Sequence, residues 1–164
     1  MAIGWRWLGG TALGLALAAC PLRAQEVGVS AGYASYDLVG VGNTWTASLA
    51  FGHALRGPWA VSAGASVLRY GSGADERTLV MPETGVSASV PVRSLALVVS
   101  AGGGLSVAVR GRGETQGTIF TGMALDIPTG GPLSLRPAAR IRWVDPWAGT
   151  VADFAVGVVY RLGR

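Results

Sequence analysis

The sequence predicts an all-β fold: eight antiparallel strands, up and down, closed into a transmembrane barrel. Three observations carry this. The stretch from Ala152 to Leu162 alternates strictly, with Ala152, Phe154, Val156, Val158, Tyr160 and Leu162 on one side and Asp153, Ala155, Gly157, Val159 and Arg161 on the other. Successive strand side chains point to opposite faces, so this is one apolar face and one small or charged face. Seven segments upstream repeat the pattern, separated by Gly, Pro and Asn. The composition agrees: 26 Gly, 50% hydrophobic and only 13% charged residues suit a barrel whose outside meets lipid better than a soluble enzyme.

The first strand is expected over about 26–36, with Val27, Val29, Ala31 and Tyr33 on one face. A Gly/Asn break at Val39–Asn43 precedes the second, about 44–55, where Trp45, Ala47, Leu49 and Phe51 oppose Thr46, Ser48, Ala50 and Gly52. Arg56-Gly57-Pro58 turns into the third, about 59–70. The fourth, about 78–90, is the weakest, because Pro82 lacks a ladder donor and points to a rim or a bulge. Pro91-Val92-Arg93-Ser94 leads into the fifth, 95–109, whose Leu97, Val99, Ala101, Leu105, Val107 and Val109 oppose Ser100, Gly102, Gly104 and Ser106. The sixth is expected over about 118–127. The run Pro128-Thr129-Gly130-Gly131-Pro132 is a strong turn signal. The seventh, 133–144, sets Leu133, Leu135, Ala139, Ile141 and Trp143 against Ser134, Arg136, Arg140 and Arg142, and Asp145–Gly149 leads into the eighth.

Strands of about ten residues match the 9–11 that a tilted strand needs to cross a bilayer. The even count places both chain ends on one side, with turns at Arg56–Pro58, Pro91–Ser94 and Pro128–Pro132. Loops at Leu38–Asn43, Gly71–Arg77, Arg110–Gly117 and Asp145–Gly149 take the other. Trp45, Trp143, Trp147 and Phe154 then belong to an outer aromatic girdle, and Phe51, Trp59 and Tyr160 to an inner one. Trp45, Leu49, Val61, Val99, Leu125, Ile141 and Val156 are expected to face lipid. A soluble lipocalin-type barrel also alternates, but it exposes charge outside. Here the non-apolar face is mostly Gly, Ala and Ser, which suits a crowded narrow lumen.

Residues 1–24 read as a cleaved export signal, leaving 25–164 as one barrel domain. Arg6 supplies the positive end, and Leu8 to Ala19 is an apolar stretch too short to span a bilayer as a helix. Leu17-Ala18-Ala19-Cys20 offers the rival of a lipidated Cys20, the only Cys in the chain. All thirteen basic residues are Arg. They are dispersed, and without the signal the net charge is near +2, so nucleic acid is not an expected partner.

Gly157-Val158-Val159-Tyr160-Arg161-Leu162 resembles the C-terminal recognition signal of outer-membrane barrels. Ala155 stands where that pattern has a polar residue, and Gly163-Arg164 extend past the usual end. With the signal segment, the whole chain resembles small outer-membrane barrels of the OmpA/OmpX-like class. The resemblance implies residence in the bacterial outer membrane, contact with its lipid and lipopolysaccharide, and delivery by the barrel assembly machinery.

An eight-stranded barrel is just wide enough for side chains to fill. Charges on the lumen face must therefore pair. Parity directs Arg136, Arg140, Arg142, Asp126 and Asp153 inward, and Glu83 shares a face with Gly85, Ser87 and Ser89. These six are expected to form one connected ion-pair set that plugs the barrel. Arg77, Arg110 and Arg112 fall in outer loops, where they could meet lipopolysaccharide phosphates.

No catalytic, cofactor or metal site is expected. His53 is the only His, and it lies toward the inner side, whereas lipid-modifying barrels of similar size use His with Ser near the outer leaflet. One His and no mature Cys cannot form a metal-ligand cluster. Gly102-Gly103-Gly104 is followed by no helix, so it is no nucleotide loop. The expected function is non-enzymatic: a structural role, or binding through short loops. The alternatives are a small-solute channel and, behind it, a lipid A-modifying enzyme.

Overall fold

The computed structural model describes residues 25–38, 41–70, 76–110, 115–144 and 149–162. These form eight strands: β1 (Glu26–Asp37), β2 (Val41–Ala54), β3 (Trp59–Tyr70), β4 (Arg77–Val92), β5 (Leu95–Arg110), β6 (Gln116–Pro128), β7 (Leu133–Val144) and β8 (Gly149–Arg161). Each pairs antiparallel with the next, and β8 pairs back onto β1, so the sheet is a closed barrel without edges. The closure runs from Glu26 opposite Arg161 to Asp37 opposite Thr150. The Leu162 N–H donates to the Gln25 carbonyl at 2.7 Å beyond it. The segment 1–24, with Cys20, lies outside the described residues, as do Arg112 and Trp147.

Register fixes what faces out. Trp45, Leu49, Val99, Leu125, Ile141 and Val156 are exposed on the outer wall, and Val61, opposite His53 and Val86, shares that face though half-buried. Tyr33 lies between Trp45 and Phe154 in the ladder, giving an aromatic row on the outside. Val27 likewise joins Phe51 to Tyr160 nearer the turns. So large an exposed apolar surface on a closed barrel is the surface of a lipid-embedded protein.

Several details depart from the expected boundaries. β2 starts at Val41, not Thr44, because Gly42 continues the ladder opposite Tyr36. That glycine makes room for a ring: a Cβ there would strike the Tyr36 side chain. Pro82 is neither at a rim nor a bulge. It sits within β4 opposite Ala65, and the ladder to β5 simply lapses at Met81 and Pro82 while the register holds on either side. A missing N–H costs one rung, and the neighbouring rungs keep the strand in place. The irregularity instead falls between Thr78 and Leu79. Pro91 and Val92 belong to β4 and pair with Ala96 and Leu95, so the turn is Arg93-Ser94 alone, with Arg93 at φ 57°. Pro91 is tolerated because it lies past the point where β3 begins, at Trp59 opposite Ala88.

Gly85, Gly102 and Phe120 are successive register partners on the lumen face of β4, β5 and β6. The Phe120 ring covers the two glycines. A Cβ on Gly102 would come within 2.7 Å of both the Gly85 Cα and the Phe120 Cε1. Gly102→Val is therefore expected to lower unfolding stability by about 1–3 kcal/mol through overpacking, read by urea titration of the folded barrel; an unchanged midpoint would show that the wall yields there.

Candidate functional site: a layered lumen

Four layers fill the barrel interior. At the loop end the lumen is apolar. Tyr36, Leu68, Tyr70, Leu79, Met81, Val144 and Val151 are buried together with Ala34, and Leu38 and Ala108 pack against them. The eight buried residues project from lumen positions of β1, β3, β4, β7 and β8, and Ala108 joins them from β5. Tyr36 and Tyr70 meet edge to face, with ring centroids 5.7 Å apart. This stopper was not part of the expectation, although the alternation that sends Ser62, Gly64 and Ser66 inward also sends Leu68 and Tyr70 there.

Beneath the stopper lies the first charged layer. Arg142, fully buried, donates from Nε to Glu83 Oε1 at 2.5 Å and from Nη2 to Glu83 Oε2 at 3.3 Å. Its Nη1 binds Asp153 Oδ2, and its Nη2 also donates to Ser66 Oγ at 2.8 Å. Arg140 donates from Nη1 to Glu83 Oε2 at 2.9 Å and lies 3.6 Å from Asp153 Oδ1 through Nε. Its guanidinium rests over Phe120, 5.6 Å from the ring centroid. Two arginines and two carboxylates thus balance, from β4, β7 and β8. Glu83 reaches across the lumen, while Asp153 is the direct register partner of Arg140. Such mutual pairing is what makes four charges tolerable in a narrow interior.

A band of small side chains follows, with Ser30 bonded to Ser48 at 2.6 Å between hydroxyl oxygens, and Gly157 opposite Ser30. The second charged layer sits at the turn end. Arg136 donates to Glu26 at 2.9 and 3.3 Å and to Asp126 Oδ2 at 3.0 Å. Arg161 binds Asp126 Oδ2 through Nη2 and donates from Nη1 to Ser134 Oγ at 2.6 Å. Arg161 Nε is 4.0 Å from Glu26 Oε2. This layer opens on a cavity of about 830 Å³ at the turn end, whose lining includes Glu26, His53, Ser87, Ser89, Arg93, Asp126, Arg136 and Arg161. Asp126 Oδ1 and Arg136 Nε are buried without a protein partner, and both residues line that cavity.

The six residues expected to form one lumen set all point inward, but they belong to two separate groups. Glu83, Arg140, Arg142 and Asp153 form one. Asp126 and Arg136 form the other, together with Glu26 and Arg161, two residues outside the expected set. No ion pair links the two among the described residues. Strand rise is the reason: Arg136 and Arg140 are four residues apart on β7, about 13 Å along the strand, beyond the reach of a shared carboxylate.

The three loop arginines separate too. Arg77 is no loop residue: it opens β4 on the lumen side and donates to the Tyr70 hydroxyl at 3.3 Å, stacked 5.8 Å from that ring's centroid. Arg110 ends β5 and is exposed. Arg112 lies outside the described residues. His53 is on the outer face of β2, opposite Val61, at the turn end.

No family model matches the chain, and no curated protein resembles it significantly in sequence. Solved structures do resemble it in fold. The Neisserial surface protein A superposes with a TM-score of 0.74 at 11% identity, over 84% of this chain and 96% of that one. OprG, an outer membrane protein from Pseudomonas aeruginosa, gives 0.61 at 10%, covering 87% and 98%. The outer membrane enzyme PagL gives 0.54 at 13%, covering 84% and 99%. The fold is that of small eight-stranded outer-membrane barrels, a fold that carries both enzymes and other proteins.

Proposed function

We propose that this protein is a non-enzymatic barrel of the bacterial outer membrane with a closed lumen, acting as a structural element or through binding at its surface. One observation carries the reading: the lumen is shut twice, by an apolar stopper at the loop end and by the Glu83–Arg140–Arg142–Asp153 layer below it. An apolar constriction opposes hydrated ions, and the salt-bridged layer leaves its arginines engaged rather than free to pass a solute. The fold alone does not decide between enzyme and non-enzyme. The position of His53, the only His in the chain, at the turn end supports the non-enzymatic reading.

Residues 1–24 would be removed on export, and Gly157–Leu162 would serve as the segment read by the barrel assembly machinery. Outer-membrane lipid and lipopolysaccharide would surround the apolar wall. The test is single-channel recording of the purified wild-type barrel in planar bilayers, with little steady conductance expected. Asp153→Ala should lower stability more than it raises conductance. Regular, sizeable steps from the wild type would replace the plug with the small-solute channel.

A further inference from the structure

The irregularity in β5 has a directional consequence. Along β5 the even-numbered residues face the lumen, Gly102 opposite Gly85, Gly104 opposite Glu83, Ala108 opposite Leu79. Unbroken alternation would send Arg110 inward too. Instead the register shifts between Thr78 and Leu79, and Arg110 comes opposite Thr78. Thr78 is itself the partner of Arg69, which is on the outer face. The extra residue, Val109, is 60% exposed, and Arg110 is exposed. A bulge at a barrel rim re-aims side chains in this way. The result is two arginines flanking one threonine on the outer wall at the loop end.

We propose that Arg69 and Arg110 form a two-armed phosphate site for the phosphorylated headgroup of a lipid in the surrounding leaflet; this rests on the membrane-barrel reading above. Two strand steps separate them, so their Cα atoms are about 10 Å apart, within the combined reach of two arginine side chains. Guanidinium groups suit phosphate because they offer paired, charge-assisted donors. One step further from the rim, Val67, Val80 and Val107 make an apolar row on the same three strands and the same face. Arginines above and valines below match a phosphate joined to acyl chains rather than a free anion. Glu76 pairs with Arg69, both partly exposed. A pair so open to water is weak, and a doubly charged phosphate can displace the carboxylate.

The test uses the folded full-length barrel in detergent, with bound lipid measured by native mass spectrometry against bisphosphorylated lipid A. Wild type should bind it, and Arg69→Gln/Arg110→Gln should bind at least about tenfold more weakly, since two charge-assisted contacts are removed and one alone is worth about that factor. Arg77→Gln, on the lumen side, should match wild type. Dephosphorylated lipid A should bind the wild type no better than the double variant binds the phosphorylated form. Equal binding by wild type and double variant overturns the site. Displacement of the lipid by inorganic phosphate at equal concentration overturns the lipid as its ligand. Insertion into phosphatidylcholine vesicles, followed by tryptophan fluorescence, separates the two readings: a barrel that inserts normally yet ignores the phosphates fails only here, and one that does not insert fails as a membrane barrel.

Discussion

Glu83→Ala is expected to destabilise the barrel by about 3–5 kcal/mol, the cost of breaking a buried ion pair by removing one partner. Glu83 is 5% exposed and holds both arginines of its layer, with Arg142 at 2.5 and 3.3 Å and Arg140 at 2.9 Å. Its loss leaves two guanidinium groups facing a single carboxylate, Asp153. Water cannot easily repair this from the loop side, where Leu68, Met81, Val144 and Val151 close the lumen. The turn-end layer provides the comparison. Glu26 has a side chain 29% exposed and lines the open cavity, so water can solvate the arginines it leaves behind. Glu26→Ala should therefore cost about 1 kcal/mol or less. Urea titration of the three proteins in bilayers, followed by tryptophan fluorescence, reads both values. Equal losses for Glu83→Ala and Glu26→Ala would mean that the two layers share one solvent environment and that the stopper does not seal.

Face assignment was legible because it depends only on a period of two. Six charged residues, three of them on β7, could be sent inward from the alternation of β4, β6, β7 and β8 alone. Their division into two layers depends on position along the barrel axis, which alternation does not encode. Glu26 and Arg161 did carry a readable signal, since Glu26 shares a face with Gly28 and Ser30, and Arg161 with Gly157 and Asp153. Their meeting depends on closure of β1 against β8 in the register that sets Glu26 opposite Arg161. The stopper was hidden for another reason. Small and polar residues mark the lumen face along most of each strand, whereas its apolar ends, Leu68 and Tyr70 on β3 and Val144 on β7, look in sequence like the lipid-facing set. Arg110 was the least legible, because one inserted residue reverses its side and nothing in its neighbourhood announces the bulge.

The outer wall yields the other large expected effect. Val156→Arg should destabilise the barrel by about 2–4 kcal/mol, the cost of a cation on the lipid face at the bilayer midplane. Val156 is 60% exposed and lies near the middle of β8. Its partners, Ala31 and Pro137, lie near the middle of β1 and β7, so the position is central on three adjacent strands. Val99 faces the same way, 48% exposed, but it is only four residues from the start of β5 at the turn end. An arginine there can extend its guanidinium toward the headgroups, and Val99→Arg should cost less than Val156→Arg. The same substitution at Ala155, the lumen-facing neighbour of Val156, would test packing instead of depth, because Ala155 is buried opposite Gly32 and Ala138. The depth series is measured as folding equilibria in bilayers and again in detergent micelles. The difference between Val156→Arg and Val99→Arg should shrink in micelles, where the headgroup region is close to every residue of the wall. A Val156→Arg cost near zero in bilayers would show that this face does not meet hydrocarbon, and the membrane reading of the whole barrel would fall with it.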